Sequence, residues 1–202
     1  MKAFWEARYA EKEYAYGTTP NLYFKSIIDT LSPGKILLAA EGEGRNAVYA
    51  ATKGWDVVAY DWSENAAYKA QQLANQHQVQ INYLLASLQD LNLVPYSFDV
   101  LGLIYVHYPE TVREVNHQKL NQFLKPDGHV IMEAFSKSHL AFSEKNPAVG
   151  GPKQLSQLYD LEVAQDFHDC SPLHLAAQQI SLAEGVYHQG EAHVIRYHGL
   201  KK

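Results

Sequence analysis

Short apolar runs alternate with amphipathic stretches along the first two thirds of the chain. Five of these runs are rich in β-branched and aromatic residues, the composition expected of buried strands. The strands are predicted at residues 37–40, 56–60, 81–85, 98–106 and 129–135. Most positions in each run are apolar, so we expect a sheet that is covered on both faces.

The stretches between the runs carry helix start and stop signals. Thr19 is suited to be an N-cap and Pro20 to be the first residue of a helix that runs to about Leu31. A second helix is predicted over residues 45–53, and a third begins after Ser63. A fourth is predicted over 109–124, and the residues that its spacing turns inward are Val112, Val115, Leu120 and Phe123.

Strands that alternate with helices predict a parallel sheet with right-handed crossovers. After Ser136 the pattern changes to a long polar segment rich in Gly and Pro, followed by a short helix near residues 155–167. Two further strands, at 173–183 and 191–198, flank the stretch EGVYHQG. They read as an antiparallel hairpin at the end of the sheet.

The composition narrows the class of protein and its partners. The 202 residues predict a single domain, and the net charge of -5 with no Lys/Arg block disfavours a nucleic-acid partner. The N-terminus lacks the apolar core of a signal peptide, and no apolar run approaches the roughly 18 residues of a membrane span. Cys170 is the only cysteine and reads as a spare thiol. We therefore expect a cytoplasmic protein without a membrane partner.

A glycine loop follows the first predicted strand. Gly42, Gly44 and Ala47 fit the pattern G-x-G-x-x-G/A at a strand-to-helix turn, and Asp61 ends the next strand. Glycines let the backbone approach a ligand closely, and a carboxylate at that distance accepts hydrogen bonds from ribose hydroxyls. The sequence therefore predicts a nucleoside site, with a tight turn that needs glycine for backbone reasons as the alternative.

The loop also carries two glutamates, Glu41 and Glu43. Negative side chains oppose the pyrophosphate of a dinucleotide at a helix N-terminus. S-adenosylmethionine has no phosphate and has a net positive charge, so the acidic loop favours this methyl donor. An NAD-dependent oxidoreductase remains the alternative, as does the interpretation of each glutamate as a solvated loop charge.

These residues also carry a resemblance to a known family. The stretch AEGEGRNAVYAATKGWDVVAYDWS is similar to the cofactor half of class I S-adenosylmethionine-dependent methyltransferases, and more narrowly to the small group related to tellurite-resistance and thiopurine methyltransferases. FWEARYAEKEYAYGTTPN resembles the N-terminal segment of that group, which folds over the cofactor. FDVLGLIYVHYP resembles its fourth strand, FLKPDGHVIMEAF its fifth, and GGPKQLSQLYDLEVAQDF its late substrate-side helix.

The resemblance implies an α/β, Rossmann-like fold with helices on both faces of a seven-stranded sheet. The implied strand order is 3-2-1-4-5-7-6, with strand 7 antiparallel. It also implies one methyltransferase domain over residues 1–202, with residues 1–20 as a lid. The cofactor would be S-adenosylmethionine, and the residues assigned to it are Tyr16, Ala40, Glu41, Gly42, Glu43, Gly44, Asp61, Trp62, Ser63, Ser87, Leu88, Gln89 and Tyr105.

The chain departs from the pattern of the family at three positions. Leu38 stands where most class I enzymes carry an acid, and Ala40 where they carry a glycine. Glu41 is the candidate to replace the missing acid near the methionine ammonium. Ser87 stands where an acid usually meets the adenine amino group, and either its hydroxyl or the Leu88 amide could make that contact. These departures leave open a protein that binds the donor or its demethylated product without catalysis.

The acceptor is expected to be a small molecule, with a thiol, selenol or chalcogen oxyanion as candidates because these need little help from a general base. His107, at the exit of strand four, is the catalytic candidate, and the alternative is a histidine that hydrogen-bonds loop backbone. Tyr9, Arg45 and Gly151 are the other predicted acceptor contacts. For Tyr9 the alternative is ordinary packing, and for Arg45 a surface charge paired with Glu43.

The acceptor site is expected between residues 9–20, 105–108 and 150–158, because ligands of open α/β sheets bind beyond the carboxyl ends of the strands. No metal is expected, since the late histidines show no ligand spacing such as H-x-H or H-E-x-x-H. A monomer or a weak homodimer is the predicted state.

Overall fold

A seven-stranded sheet organises residues 2–202, the part of the chain that the computed structural model describes. The strands are β1 (Lys35–Leu38), β2 (Asp56–Asp61), β3 (Asn82–Leu85), β4 (Phe98–Ile104), β5 (Leu124–Phe135), β6 (Cys170–Glu184) and β7 (His188–Lys201). Their order is β3-β2-β1-β4-β5-β7-β6. The first five strands pair in parallel, and β7 runs antiparallel to both of its neighbours. The predicted order and the antiparallel strand are confirmed.

Helices cover both faces of the sheet. They are α1 (Lys2–Tyr9), α2 (Leu22–Ile28), α3 (Arg45–Thr52), α4 (Glu64–Gln76), α5 (Glu110–Asn121) and α6 (Leu140–Lys145). Successive strand residues point to opposite faces, so Ile36 packs in one apolar cluster with α2 and α3, and Leu37 packs in another with α5. The two buried faces explain why the strands are nearly continuous apolar runs.

The first predicted helix begins later than the sequence indicated. Asn21, and not Thr19, is the N-cap of α2, since its side chain accepts a hydrogen bond from Phe24 N at 3.0 Å. The Asn21 backbone N–H donates to Asn46 Oδ1 at 2.9 Å, which fixes the chain just before the helix. The prediction that Thr19 and Pro20 open this helix was therefore wrong, because a better-placed cap follows them.

Only two of the four residues predicted to face inward on and just after α5 are buried. Leu120 is fully buried and Phe123 is 6% exposed, as predicted. Val112 and Val115 are instead 43% and 67% exposed. The apolar spacing suggested one continuous stripe, but only the C-terminal part of the helix faces the apolar core.

The rest of α5 is held by polar contacts. His117 Nδ1 lies 2.8 Å from Asp166 Oδ2, and Arg113 Nε donates to the same oxygen at 2.8 Å. Asp166 belongs to a 3-10 segment, Leu161–Phe167, that covers this side of the helix. A charged and hydrogen-bonded contact of this kind leaves no apolar signal in the sequence.

The C-terminal third also differs in detail from the prediction. The helix expected near residues 155–167 consists of two 3-10 segments, Leu155–Gln157 and Leu161–Phe167. The long polar segment before it contains α6. The terminal hairpin is confirmed, and it is longer than predicted, with Glu184 paired to His188 at its turn.

Candidate active site

The carboxyl ends of β1 and β4 carry backbone in a conformation that side chains rarely adopt. Ala40 follows β1 with φ 45°, and Tyr105 follows β4 with φ 56°. Both residues lie where the strand order reverses, which is the usual ligand position in an open α/β sheet. Strain that the fold maintains at such a place is typical of a functional site. The glycine usual at the Ala40 position would adopt this φ at no steric cost.

The glycine loop is closed by its first glutamate. Glu41 Oε1 accepts hydrogen bonds from Asn46 N and Ala47 N, both at 2.8 Å, so the carboxylate caps α3. Burial raises the pKa of Glu41 to about 7, although these hydrogen bonds oppose the shift. The prediction placed Glu41 near the ligand, and it does line the small cavity above the loop.

The second glutamate is buried and paired. Glu43 is 5% exposed, and its Oε1 accepts from Lys69 Nζ at 2.7 Å. Its Oε2 accepts from Ala15 N, also at 2.7 Å, and Lys69 donates in turn to the Glu13 carbonyl. The interpretation of Glu43 as a solvated loop charge is wrong, because the N-terminal segment covers it. Its carboxylate ties residues 13–15 to α4.

Asp61, at the end of β2, faces the glycine loop as predicted. Its carboxylate accepts from Gly42 N at 3.1 Å and from Ser63 N at 3.0 Å. Burial raises the pKa of the Asp61 carboxyl above its ordinary value. Ser63 caps α4 by accepting from Ala66 N, and its hydroxyl donates to Glu6 of α1 at 2.9 Å. The end of β2 therefore holds both a candidate ribose ligand and the anchor of the N-terminal helix.

The N-terminal segment lies over the loop. A Cβ atom added to Gly42 would come within 2.7 Å of the Tyr9 hydroxyl, so the Tyr9 ring lies directly above Gly42. Trp5 stacks on Tyr9 with 5.5 Å between ring centroids. The remaining cavity has a volume of about 20 Å³, and its lining is Tyr9, Tyr16, Gly17, Glu41, Gly42, Glu43 and Arg45. Tyr16, which was assigned to the cofactor, lines this cavity, and Tyr9, which was predicted as an acceptor contact, lies over the glycine loop.

The predicted adenine side lies beyond β3. The Ser87 hydroxyl donates to Asp90 Oδ2 at 2.6 Å, so its proton is already used. Leu88 is 4% exposed, whereas Gln89 is exposed and Trp62 is half-buried. The Ser87 hydroxyl could still accept a hydrogen bond, and the Leu88 amide stays the alternative donor.

Arg45 is buried, which contradicts its interpretation as a surface charge paired with Glu43. Its Nη2 donates to Glu184 Oε2 at 2.9 Å, and its Nη1 donates to the Tyr16 carbonyl at 3.2 Å. The side chain therefore joins the start of α3 to the tip of the terminal hairpin. Its charge is already balanced by Glu184, so the structure does not favour the predicted contact with an anionic acceptor.

Both ring nitrogens of His107 are bonded to backbone. Nδ1 lies 2.7 Å from the Gln157 carbonyl, and Nε2 accepts from Phe135 N at 3.2 Å. Burial lowers the pKa of His107 to about 3, so the ring is neutral. This geometry corrects the assignment of His107 as the catalytic residue and matches the alternative of a histidine that holds loop backbone. The ring fixes the segment near Gln157 against β5.

The three segments predicted to enclose the acceptor do meet, and they meet at His188. Its ring centroid lies 4.4 Å from that of Tyr16 and 4.5 Å from that of Tyr105. A Cβ atom on Gly150 would come within 3.0 Å of the same ring. Gly151, the predicted contact, packs instead on His139. Sequence reasoning considered His188 only as a metal ligand and missed its pairing with Glu184, four residues earlier across the predicted turn.

A second residue missed from the sequence is Glu133 of β5. It is 1% exposed and accepts hydrogen bonds from Asn21 Nδ2 at 2.6 Å and from the Tyr105 hydroxyl at 2.7 Å. Arg196 Nε donates to its other oxygen at 2.6 Å. The hydrogen bond to Glu133 holds Tyr105 at the exit of β4. A single acid inside the apolar run HVIMEAF was the available signal.

The family comparison supports the predicted class. The sequence model of a family described as "Methyltransferase domain" matches residues 36–128. The matched stretch runs from β1 into β5 and includes the glycine loop, Asp61 and Tyr105. A comparison with curated proteins finds no match. Together with the fold, this partial family match supports the predicted class of methyltransferase.

Solved structures share the fold at low sequence identity. A SAM-dependent methyltransferase from Methanosarcina mazei has 15% identity and a TM-score of 0.70, with 90% of this chain and 99% of that chain covered. TehB from Haemophilus influenzae has 16% identity and a TM-score of 0.69, with 89% and 61% covered. Magnesium protoporphyrin IX methyltransferase from Synechocystis PCC 6803, with bound SAH, has 17% identity and a TM-score of 0.66, with 89% and 82% covered. At these low identities, the structural similarities show only that the chain has the same fold.

The described residues contain neither a candidate membrane span nor a candidate metal site. Within residues 2–202, no helix has both the length and the apolar character needed to cross a bilayer. Over the same residues, no three His, Cys, Asp or Glu side chains come together as a metal site would require.

Glu41→Gln should change how stability depends on pH. The folded-state pKa of Glu41 is raised from 4.5 to about 7, so the folded chain holds a proton that the unfolded chain loses. This contribution to stability is present below about pH 4.5 and is lost as the pH rises through about 7. The amide of Gln stays neutral at every pH. Between pH 5 and pH 8 the free energy of unfolding of the variant should therefore exceed that of the wild type by roughly 1 to 3 kcal/mol, increasing with pH.

Urea unfolding at several pH values measures this gain, with Glu144→Gln as the control because Glu144 is exposed on α6. A constant difference between Glu41→Gln and the wild type across this range would contradict the shifted pKa of Glu41.

Proposed function

We propose that the chain transfers the methyl group of S-adenosylmethionine to a small-molecule acceptor. The observation that carries this choice of cofactor is the position of Glu41. Its carboxylate already accepts the N–H groups of Asn46 and Ala47 at the start of α3. A dinucleotide would need helix-start amides of this kind for its pyrophosphate, and it would meet a carboxylate there. A donor without phosphate meets no such conflict.

The residues around the loop suit a positively charged nucleoside. Among residues 2–202, Glu41 has no salt-bridge partner, so the donor ammonium would supply the positive charge that favours its ionised form. Asp61 would accept hydrogen bonds from ribose hydroxyls, and Gly42 allows the backbone to come close. When bound, the donor supplies a methyl group that its sulfonium has already activated. The chain then has to hold the acceptor in line and exclude water.

The N-terminal segment would act as a lid in this reaction. The cavity of about 20 Å³ has room for roughly one water molecule, so the Tyr9 ring has to leave Gly42 when the donor binds. Glu6 is the anchor of α1, because its carboxylate accepts from Ser63 Oγ and from Glu64 N. Residues 1–20 are therefore proposed as a lid that opens for the donor and closes over it.

The acceptor is proposed to reach the methyl group from the β4 side. The support for this position is the convergence of Tyr16, Tyr105 and Gly150 on His188. Aromatic rings favour a small and mostly apolar acceptor. The monomeric or weakly dimeric state and the cytoplasmic location stay predictions.

Transfer of a labelled methyl group tests the proposed reaction. The chain is incubated with a donor labelled in its methyl group and with thiols, selenite, tellurite or thiopurines, and products are identified by mass spectrometry. Label in at least one acceptor, formed together with S-adenosylhomocysteine, is the expected result. Donor binding without transfer to any acceptor would indicate a non-catalytic binding protein. A rise in NADH fluorescence on mixing, without donor binding, would indicate the dinucleotide alternative.

A further inference from the structure

His188 and Glu184 form a hydrogen-bonded pair at the carboxyl edge of the sheet. They face each other across the turn between β6 and β7, and His188 Nδ1 lies 3.2 Å from Glu184 Oε2. Glu184 also accepts from Arg45 at 2.9 Å and from Asn21 at 3.1 Å. Burial alone would raise the pKa of Glu184, but the hydrogen bond from His188 and the charge of Arg45 outweigh it and lower the pKa to about 2. An ionised Glu184 holds the proton of His188 on Nδ1.

This arrangement leaves Nε2 of His188 free. His107 uses both ring nitrogens on the backbone of residues 157 and 135. His139 also uses both, with Nε2 3.2 Å from the Gly150 carbonyl and Nδ1 3.3 Å from His193 N. Over residues 2–202, the structure gives no hydrogen-bond partner to Nε2 of His188. Among the three histidines that contact Phe135, His188 is thus the one with an unused lone pair.

The free edge of the ring faces the predicted acceptor segment. A Cβ atom on Gly150 would lie 3.0 Å from Cδ2 and 3.5 Å from Nε2 of His188. Tyr16 and Tyr105 pack on the same ring at 4.4 and 4.5 Å. Burial lowers the pKa of His188, against the opposing effect of Glu184, so the ring is uncharged at neutral pH.

We propose that Nε2 of His188, oriented by Glu184, accepts the proton of the methyl acceptor. The proposal rests on the proposed methyltransferase function and narrows its substrate class. The acceptor would be a neutral small molecule whose attacking atom carries a proton, such as a thiol or a hydroxyl. Its lone pair forms the bond to the methyl carbon, and the carbon–sulfur bond breaks with its electron pair on sulfur. The acceptor proton passes to His188, and Glu184 balances the imidazolium charge.

The charges around the pair agree with a neutral acceptor. Arg45 is paired with Glu184, and Arg196 is paired with Glu133. Neither guanidinium is left to attract an anion, and the two carboxylates would repel one. A chalcogen oxyanion, one of the acceptors expected from the sequence, attacks through a chalcogen lone pair that carries no proton, so it gains nothing from a base.

The first test observes His188 without any acceptor. Histidine labelled with nitrogen-15 reports which ring nitrogen carries the proton, and the His188 signal is assigned through its own backbone. At pH 7 the expected state is a neutral ring with the proton on Nδ1 and a bare Nε2. A proton on Nε2 would overturn the proposal.

The second test compares two thiols that differ in acidity. At neutral pH benzyl mercaptan is protonated, whereas 4-nitrothiophenol is largely ionised. His188→Gln should lower methyl transfer to benzyl mercaptan by about 100-fold, the lower range of general-base effects. The loss for 4-nitrothiophenol should stay within about fivefold, because an ionised thiol needs no base. His168→Gln is the control, since that histidine is exposed outside the site.

If His188→Gln lowers the rate of methyl transfer equally for both thiols, His188 serves only in packing, and the proposal is overturned. If the wild type binds S-adenosylmethionine but methylates neither thiol, the inferred acceptor class is wrong, and the methyltransferase function can still stand. If the wild type does not bind the donor at all, the proposed function fails, and this proposal fails with it.

Discussion

Glu133→Ala is expected to lower the free energy of unfolding by about 3 to 4 kcal/mol, the cost of breaking a buried ion pair. Glu133 is 1% exposed and accepts hydrogen bonds from Asn21, Tyr105 and Arg196. Removing the carboxylate leaves the Tyr105 hydroxyl without its acceptor, leaves Glu184 as the remaining acceptor of Asn21, and leaves a guanidinium without its counter-charge. The effect should be near the lower end of the usual range, because the Arg196 side chain is 21% exposed and keeps some contact with water.

Urea unfolding measures this loss, and Glu162→Ala is the matched control. Glu162 is also a glutamate in an ion pair, at 3.4 Å from Lys137, but its side chain is 47% exposed. Its loss should therefore stay within about 0.5 kcal/mol. Equal effects of the two variants would mean that the Glu133 network does not stabilise the fold.

Gly44→Ala is expected to lower the free energy of unfolding by about 2 to 4 kcal/mol, for two separate reasons. Gly44 has φ 87°, a conformation that costs a side chain roughly 1 kcal/mol. In addition, an added Cβ atom would lie 2.6 Å from Ala70 Cβ and 2.9 Å from Ala70 Cα, so α4 would have to shift. The glycine at this position of the loop therefore serves the close packing of a helix as well as the turn.

Gly54→Ala measures the backbone cost without the steric clash. Gly54 has nearly the same φ, 88°, but the nearest atom to its Cβ position is a Pro33 carbon at 3.9 Å. The free energy of unfolding of this variant should fall only by the cost of the positive φ, about 1 kcal/mol. Thermal or urea unfolding of both variants gives the comparison. If Gly44→Ala loses no more stability than Gly54→Ala, then α4 can move away from the added Cβ atom without a cost in free energy.

The sheet could be predicted from the sequence because each of its strands leaves a local signal. Apolar runs such as residues 56–60 are long enough to identify, and the turn signals around them fix the order of elements. The loop glycines, Asp61 and the cap Ser63 were also recognisable, since each has a defined spacing from a strand end. The resemblance to class I methyltransferases then supplied the strand order.

The polar interior was not predictable in the same way. Several contacts of Glu133 and Glu184 join residues more than one hundred positions apart, such as Asn21 with Glu133 and Arg45 with Glu184. A buried charged side chain and a solvated one look alike in a single sequence, which is why an exposed charge was kept as the alternative for Glu43 and for Arg45. The register of the hairpin places His188 opposite Glu184, and that register appears only in the folded sheet.

The sequence pointed to His107 and not to His188 as the catalytic candidate for a related reason. His107 follows β4, at the place where catalytic groups often lie, but its ring is used by two backbone groups. His188 begins β7, within the stretch that the sequence identified as the connection between the two hairpin strands. Which nitrogen of a histidine is free depends on its neighbours in space, and those come from β5, the N-terminal segment and the residue 150 loop.

Calorimetric titration with S-adenosylmethionine tests the central claim most directly, because it needs no knowledge of the acceptor. We predict binding near the micromolar range, about -8 kcal/mol, and a loss of roughly 1.5 to 3 kcal/mol in Asp61→Ala, whose carboxylate would hold the ribose. The absence of any binding up to millimolar donor, or unchanged affinity in Asp61→Ala, would contradict the assignment of the glycine loop as a methyl-donor site.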